Sequence, residues 1–381
     1  MPLQRRSFLG AAGLLASPRV LFARALTERR FIFIIQRGAA DGLHTVVPYA
    51  DPAYARHRGA LAVNTTSALK LDGSFALHPA LGELFRLYQQ GEANFFHAVA
   101  SPYRERSHFD GQNVLESGGT APYQLRDGWL NRLTALLTLP GKAAIAFSPA
   151  IPMAMRGTLE VATYAPSALP PANDDLMMRV AQLYAGDAQL NPIWNSALET
   201  RGMAGGSRAA AGRSDSAAMG RMAASFLARQ DGPRLAMIET EGWDTHSAQA
   251  GRLALRLQAL DSLIAGLREG MGPAWSETVV LVATEFGRTV AVNGTGGTDH
   301  GTGSAAMLVG GAVRGGRMIA DWPGLAAANL FEGRDLRPTL SLDALIAQTC
   351  AETFGLDPDR VAQVLSPGNP RRPPLPGLLR S

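Results

Sequence analysis

Phe31-Ile32-Phe33-Ile34-Ile35 is an unbroken apolar run in which every residue is aromatic or β-branched. Alternating apolar and polar residues would mark a strand with one wet face; an unbroken run marks a strand covered on both. Such a strand needs helices above and below its sheet, which commits the chain to a layered α/β architecture. Further strands are predicted over 94–100, 234–239, 278–283 and 304–309, and helices over 78–90, from about 108, over 247–270 and over 342–354. This alternation predicts a mostly parallel central sheet with helices on both faces. Residues 140–235 carry a weaker pattern. Within them, 166–173 reads as a Pro-rich loop, and 202–216, rich in Gly, Ala, Ser and Arg, as a mobile surface loop.

The first 25 residues have a different character. Arg5 and Arg6 precede Ser7, Phe8 and Leu9, an apolar stretch runs to Ala16, and Ala23-Arg24-Ala25 forms a small-x-small cleavage site. Basic start, apolar middle and small-residue end are the layout of a signal peptide, and paired arginines followed by Phe-Leu point to the twin-arginine route. The apolar stretch is far shorter than the roughly 20 residues of a spanning helix. The sequence therefore predicts a twin-arginine signal peptide over 1–25, one α/β domain over 26–365, and an exposed Pro- and Arg-rich tail over 366–381. The twin-arginine translocase is the expected export partner and the periplasm the expected location.

The formal charge of +4 comes from the leader. Taking its four arginines from the 36 basic residues leaves 32, equal to the 32 acidic ones. A formally neutral mature chain gives no electrostatic case for nucleic acid or an anionic membrane. Its length of about 356 residues suffices for a large core. The single cysteine, Cys350, has no internal disulfide partner and is expected in the core of the last long helix.

Ligands of open parallel sheets bind beyond the carboxyl ends of the strands. Asp41 follows the first predicted strand, and Arg104, Arg106, Ser107 and His108 follow the second. Asp244 and His246 follow the third, Glu285 and Arg288 the fourth, and the loop before the fifth carries Asp299 and His300. Singly these are ordinary turn residues; jointly they crowd carboxylates onto one rim. Two like charges about 4 Å apart repel by about 4 kcal/mol at an effective dielectric near 20, so the cluster needs protons or a cation. Mixed Asp, Glu and His donors suit zinc or manganese. Asp41, Asp244, His246, Glu285, Asp299 and His300 are the expected metal ligands, for one or two divalent ions. Ser107 is the expected nucleophile, at a position that equally suits an N-cap. His108 is counted with the catalytic group, and Arg106 and Arg288 are expected to hold oxyanion oxygens. His44, His57, His78 and His97 are expected to be structural.

Gln36-Arg-Gly-Ala-Ala-Asp-Gly-Leu-His-Thr-Val-Val-Pro-Tyr49, Arg106-Ser-His-Phe109, Gly242-Trp-Asp-Thr-His246, Thr284-Glu-Phe-Gly-Arg288 and Gly297-Thr-Asp-His-Gly301 together resemble a twin-arginine-exported bacterial family, domain of unknown function fifteen-oh-one. That family is similar to the alkaline phosphatase and sulfatase superfamily. The resemblance implies an alkaline-phosphatase-like fold, one or two divalent metals at the carboxyl rim, and a nucleophile attacking phosphorus or sulfur. By order, Asp41 matches the first-strand metal ligand, Ser107 the nucleophile, Asp244 and His246 the next ligand pair, and His300 the late histidine. Two departures stand out. Glu285-Phe286 occupies the place of the superfamily's Asp-His, which removes an imidazole, and Asp244 and His246 are closer in sequence than in alkaline phosphatases. The resulting expectation is a metal-dependent hydrolase of small phosphate or sulfate esters. The alternative is a non-catalytic exported binding or assembly protein that keeps the fold.

Overall fold

The computed structural model describes residues 28–137, 143–166, 174–203, 215–370, 375 and 377–380. The expected signal peptide and most of the expected loop at 202–216 lie outside these residues.

Among the described residues, nine strands build the main sheet: β1 (Arg30–Gln36), β2 (Ala93–Ala100), β3 (Ala144–Phe147), β4 (Ala162–Thr163), β5 (Leu235–Thr240), β6 (Thr278–Ala283), β7 (Ser304–Val309), β8 (Arg317–Ile319) and β9 (Leu340–Ser341). Their order is β8-β2-β7-β6-β1-β5-β3-β4, with β9 also paired to β2. β1 lies between β5 and β6, parallel to both. Only β7 runs against its neighbours β2 and β6; the other pairings are parallel. The sheet is therefore mostly parallel, and the reversal of β7 matters for the site. The loop that enters β7 lies at the rim where its neighbours end.

The unbroken run of β1 splits by its period of two. Ile32 and Ile34 enter one core; Phe31, Phe33 and Ile35 enter the other. The first core is covered by helices Gly82–Gln89, Ser216–Leu227 and Gln249–Met271, the second by Trp129–Leu136, Leu342–Phe354 and Pro358–Leu365. Each of these fully buried side chains contributes roughly 1.5–3 kcal/mol. On Gln249–Met271 the stripe Leu253, Leu257, Leu260, Ile264, Leu267 and Met271 faces the core at helical spacing. Cys350 is fully buried on Leu342–Phe354.

Three expectations need correction. The helix predicted from residue 78 starts at Gly82, because Pro79 lacks an N–H and His78 instead donates its own to Thr45. β3 and β4 were not anticipated; they are short, and the alanines of β3 carry little strand preference. The end of the tail is not free. Leu378 and Leu379 are buried, and both backbone N–H groups donate to the Glu352 carboxylate, at 2.7 and 2.8 Å. No helix among the described residues is long and apolar enough to cross a membrane.

Candidate metal centre

Beyond β2 the chain reaches the helix His108–Ser117 through a short turn. Arg106 there has φ +65°, left-handed backbone that a residue with a side chain adopts at a cost. In this conformation its carbonyl accepts from His300 Nδ1 at 2.9 Å. A carbonyl only accepts, so Nδ1 carries the proton and Nε2 keeps a lone pair. The same pattern recurs twice. His108 Nδ1 lies 2.8 Å from Glu285 Oε1, and His246 Nδ1 lies 3.2 Å from Asp299 Oδ1. All three imidazoles are held by Nδ1 and turn Nε2 the other way.

Those Nε2 atoms converge on Asp244. His246 Nε2 is 2.9 Å and His300 Nε2 3.3 Å from Asp244 Oδ1, and His108 Nε2 is 3.5 Å from Oδ2. The His246 and His300 Nε2 atoms are 3.0 Å apart. His108 Nε2 is buried without a hydrogen-bond partner. Ligand atoms of His108, Asp244 and His300 all lie within 4.8 Å of one another. A tetrahedral zinc ion with ligands at about 2.0–2.1 Å sets them about 3.3 Å apart, close to the spacings here. The His300 Nε2 lone pair, 3.0 Å from His246 Nε2, calls for a proton on that nitrogen or a cation beside it. The donor set therefore fits a divalent metal.

The charges around the cluster are fixed by burial and pairing. Burial works against an ionised Asp244, but the hydrogen bond and charge of Arg288, with His246 and His108, outweigh it and lower its pKa. Glu285 is fully buried, and the hydrogen bonds from His108, Gln112 and Gly38 likewise hold its carboxyl below the usual range. The Glu285 bond raises His108 against burial, whereas burial and the nearby His108 lower His300. Ser107 caps the helix by position, makes no cap bond through its side chain, and donates its backbone N–H to the Tyr103 hydroxyl at 3.1 Å.

A family model described as "Protein of unknown function (DUF1501)" matches residues 28–365. The chain belongs to the DUF1501 family. No curated protein matches it. Among solved structures, this DUF1501 protein is similar to Ps i-CgsB in complex with k-i-k-neocarrahexaose, at 10% identity over 89% of this chain and 74% of that one, with a TM-score of 0.44. It is also similar to the C-terminal periplasmic domain of EcEptC from Escherichia coli, at 11% identity, 94% and 93% coverage and a TM-score of 0.39. A third is the phosphonate monoester hydrolase of Agrobacterium radiobacter, at 11% identity, 90% and 78% coverage and a TM-score of 0.37.

Of the expected ligands, His246 and His300 lie against Asp244, and His108 faces the same carboxylate. Glu285 and Asp299 lie instead against the Nδ1 side of His108 and His246. Arg288 is buried and donates to Asp244 Oδ1 at 2.6 Å and to the Thr298 carbonyl at 2.6 Å. Arg106 is bound to Asp335 at 2.8 Å and to Glu332. Both arginines, expected as oxyanion holders, are paired with protein carboxylates. Asp41, expected as a metal ligand, is paired as well. Its carboxylate pairs with the buried Arg58 and accepts from Gln249, Leu43 and His44.

Phe286 was read as a lost ligand; its role in packing was missed. Its ring stacks on His108 at 5.1 Å and meets His300 at 5.4 Å, walling the centre. Gly111 makes room for it, since a β-carbon there would lie 2.8 Å from the ring. Gly38, at φ +116°, lets the backbone pass Asp244, whose nitrogen would be 2.6 Å from a β-carbon. Of the other histidines, His57 and His97 bond backbone carbonyls, His78 Nδ1 accepts from the Ala80 N–H, and His44 stacks on His78.

Proposed function

We propose that this protein is an exported metal-dependent hydrolase of phosphate or sulfate esters, with His108, Asp244, His246 and His300 holding the ion and Ser107 as nucleophile. One observation carries the reading: three imidazoles anchored through Nδ1 present Nε2 to one carboxylate. A divalent zinc or manganese ion in that cluster would neutralise an ester oxygen and favour the ionised form of a hydroxyl. The chain's own residues prepare that chemistry. Glu285, Asp299 and the Arg106 carbonyl hold the tautomers, and Arg288 keeps Asp244 ionised. Ser107 has no side-chain cap bond to break and stands at the start of a ten-residue helix, where a developing negative charge is favoured. The arginine leader supports export by the twin-arginine route.

The second reading, a non-catalytic exported binding protein with this fold, is favoured by one observation. Arg106 and Arg288, the expected oxyanion holders, are already paired with protein carboxylates. Elemental analysis after gel filtration, followed by a screen of aryl phosphate and sulfate esters, separates the two. The hydrolase reading expects bound divalent metal that His300→Ala releases, and turnover that Ser107→Ala abolishes. Equal metal content in wild type and His300→Ala would defeat the metal assignment. Full turnover in Ser107→Ala would remove the nucleophile.

A further inference from the structure

Two Asp–Arg pairs share this rim, and they differ in what their carboxylates have left to offer. Asp244 is partly open and faces three imidazole nitrogens. Asp41 is 1% exposed and its partner Arg58 0%. An ionised carboxylate has about four acceptor positions. Asp41 receives donors at Oδ1 from Leu43 N (3.1 Å), His44 N (3.3 Å) and Arg58 Nη2 (3.0 Å), and at Oδ2 from Arg58 Nη1 and from Gln249 Nε2 (2.6 Å). Those five donors exhaust it. A divalent ion there would have to displace a buried guanidinium and lie beside its charge.

We propose that Arg58 is the resident cation of Asp41, and that the rim consequently holds a single metal ion, at Asp244. The inference rests on the metal reading above. The pair is also an anchor. Gln249 gives its N–H to Asp41, so its carbonyl faces Thr298 and Thr245, whose hydroxyls donate at 2.7 and 3.0 Å. The Thr298 hydroxyl in turn accepts from Arg288 Nε at 3.2 Å, and Arg288 Nη1 reaches Asp244 at 2.6 Å. Gln249, Thr245 and Thr298 are fully buried and Arg288 nearly so. Every link runs donor to acceptor in one direction, from Arg288 to Asp41. An acceptor at position 41 thereby fixes the Gln249 amide, and through Thr298 the orientation of Arg288 and of the carboxylate it holds.

Zinc bound per chain tests this, measured by elemental analysis after saturation and gel filtration. The proteins are wild type, His300→Ala and the charge-balanced double variant Asp41→Asn/Arg58→Met. Asn keeps an acceptor for Gln249, and Met keeps the volume of Arg58. The expected result is one ion in wild type, one in the double variant and none in His300→Ala. Two ions in wild type, or loss of the ion from a double variant that still melts cooperatively, overturns the inference and leaves the metal reading standing. No ion in wild type overturns the metal reading and this inference with it. If the double variant fails to fold, the wild-type count decides alone.

Discussion

Asp343→Asn isolates the clearest electrostatic cost in the fold. Asp343 opens the helix Leu342–Phe354, is 6% exposed, and accepts one hydrogen bond, from Asn369 Nδ2 at 2.6 Å. Burial raises its pKa from 3.8 to about 7, more than the charge of Arg104 lowers it. Between these values the folded state holds a proton that the unfolded chain has released. Stability therefore falls as pH rises from about 4 to about 7 and levels off above that. At 1.36 kcal/mol per unit, a shift of about 3 units amounts to about 4 kcal/mol as an upper bound. The neighbouring amide supports the protonated form, since Asn369 Oδ1 is buried without a partner and a protonated carboxyl brings it a donor. Asn cannot ionise. Guanidinium unfolding at pH 5 and pH 8 should show the variant gaining on wild type by up to about 2.7 kcal/mol at the higher pH, since about 2 units of the shift lie in that window, with other titrations cancelling in the difference. A wild-type-minus-variant difference that stays within about 1 kcal/mol across that range would refute the argument.

Two further outcomes bear on the site and on export. Glu285→Gln should keep the fold but weaken zinc binding about 10–100-fold in a chelator competition, because an amide orients the His108 imidazole less firmly than a carboxylate; unchanged affinity would show that Glu285 does not tune its ligand. Replacing Arg5 and Arg6 by Lys should leave the precursor in the cytoplasmic fraction, and normal periplasmic accumulation would count against the twin-arginine reading.

The main strands were legible because they are long, apolar and buried on both faces. The predicted strands at 278–283 and 304–309 match β6 and β7, and the first run lies inside β1. The direction of β7 was not legible, since an apolar run reads the same both ways. The rim position of Asp299 and His300 nevertheless survives, because a reversed strand brings its entry loop to the end where its neighbours stop. β8 and β9 escaped notice for a different reason. Each is two or three residues long and exists only through its pairing with β2, a contact with no local signature.

Roles within the rim were less legible than membership of it. Asp41 and Asp244 are both aspartates one turn beyond a central strand, and sequence assigns them the same work. The structure separates them by their neighbours. Arg58 lies 17 positions after Asp41 and Gln249 208 positions after it, and together they consume its lone pairs. Arg288 touches only one oxygen of Asp244 and leaves the carboxylate facing His108, His246 and His300. Glu285 shows the same limit. It is a carboxylate at a strand end, but the Phe286 wall and the Gly38 N–H turn it inward, toward His108 Nδ1. Whether an acid at such a rim binds metal, orients a ligand or anchors a guanidinium depends on which donors the fold brings to its second oxygen. Those donors come from remote segments, so spacing along the chain finds the cluster and only the folded contacts divide its labour.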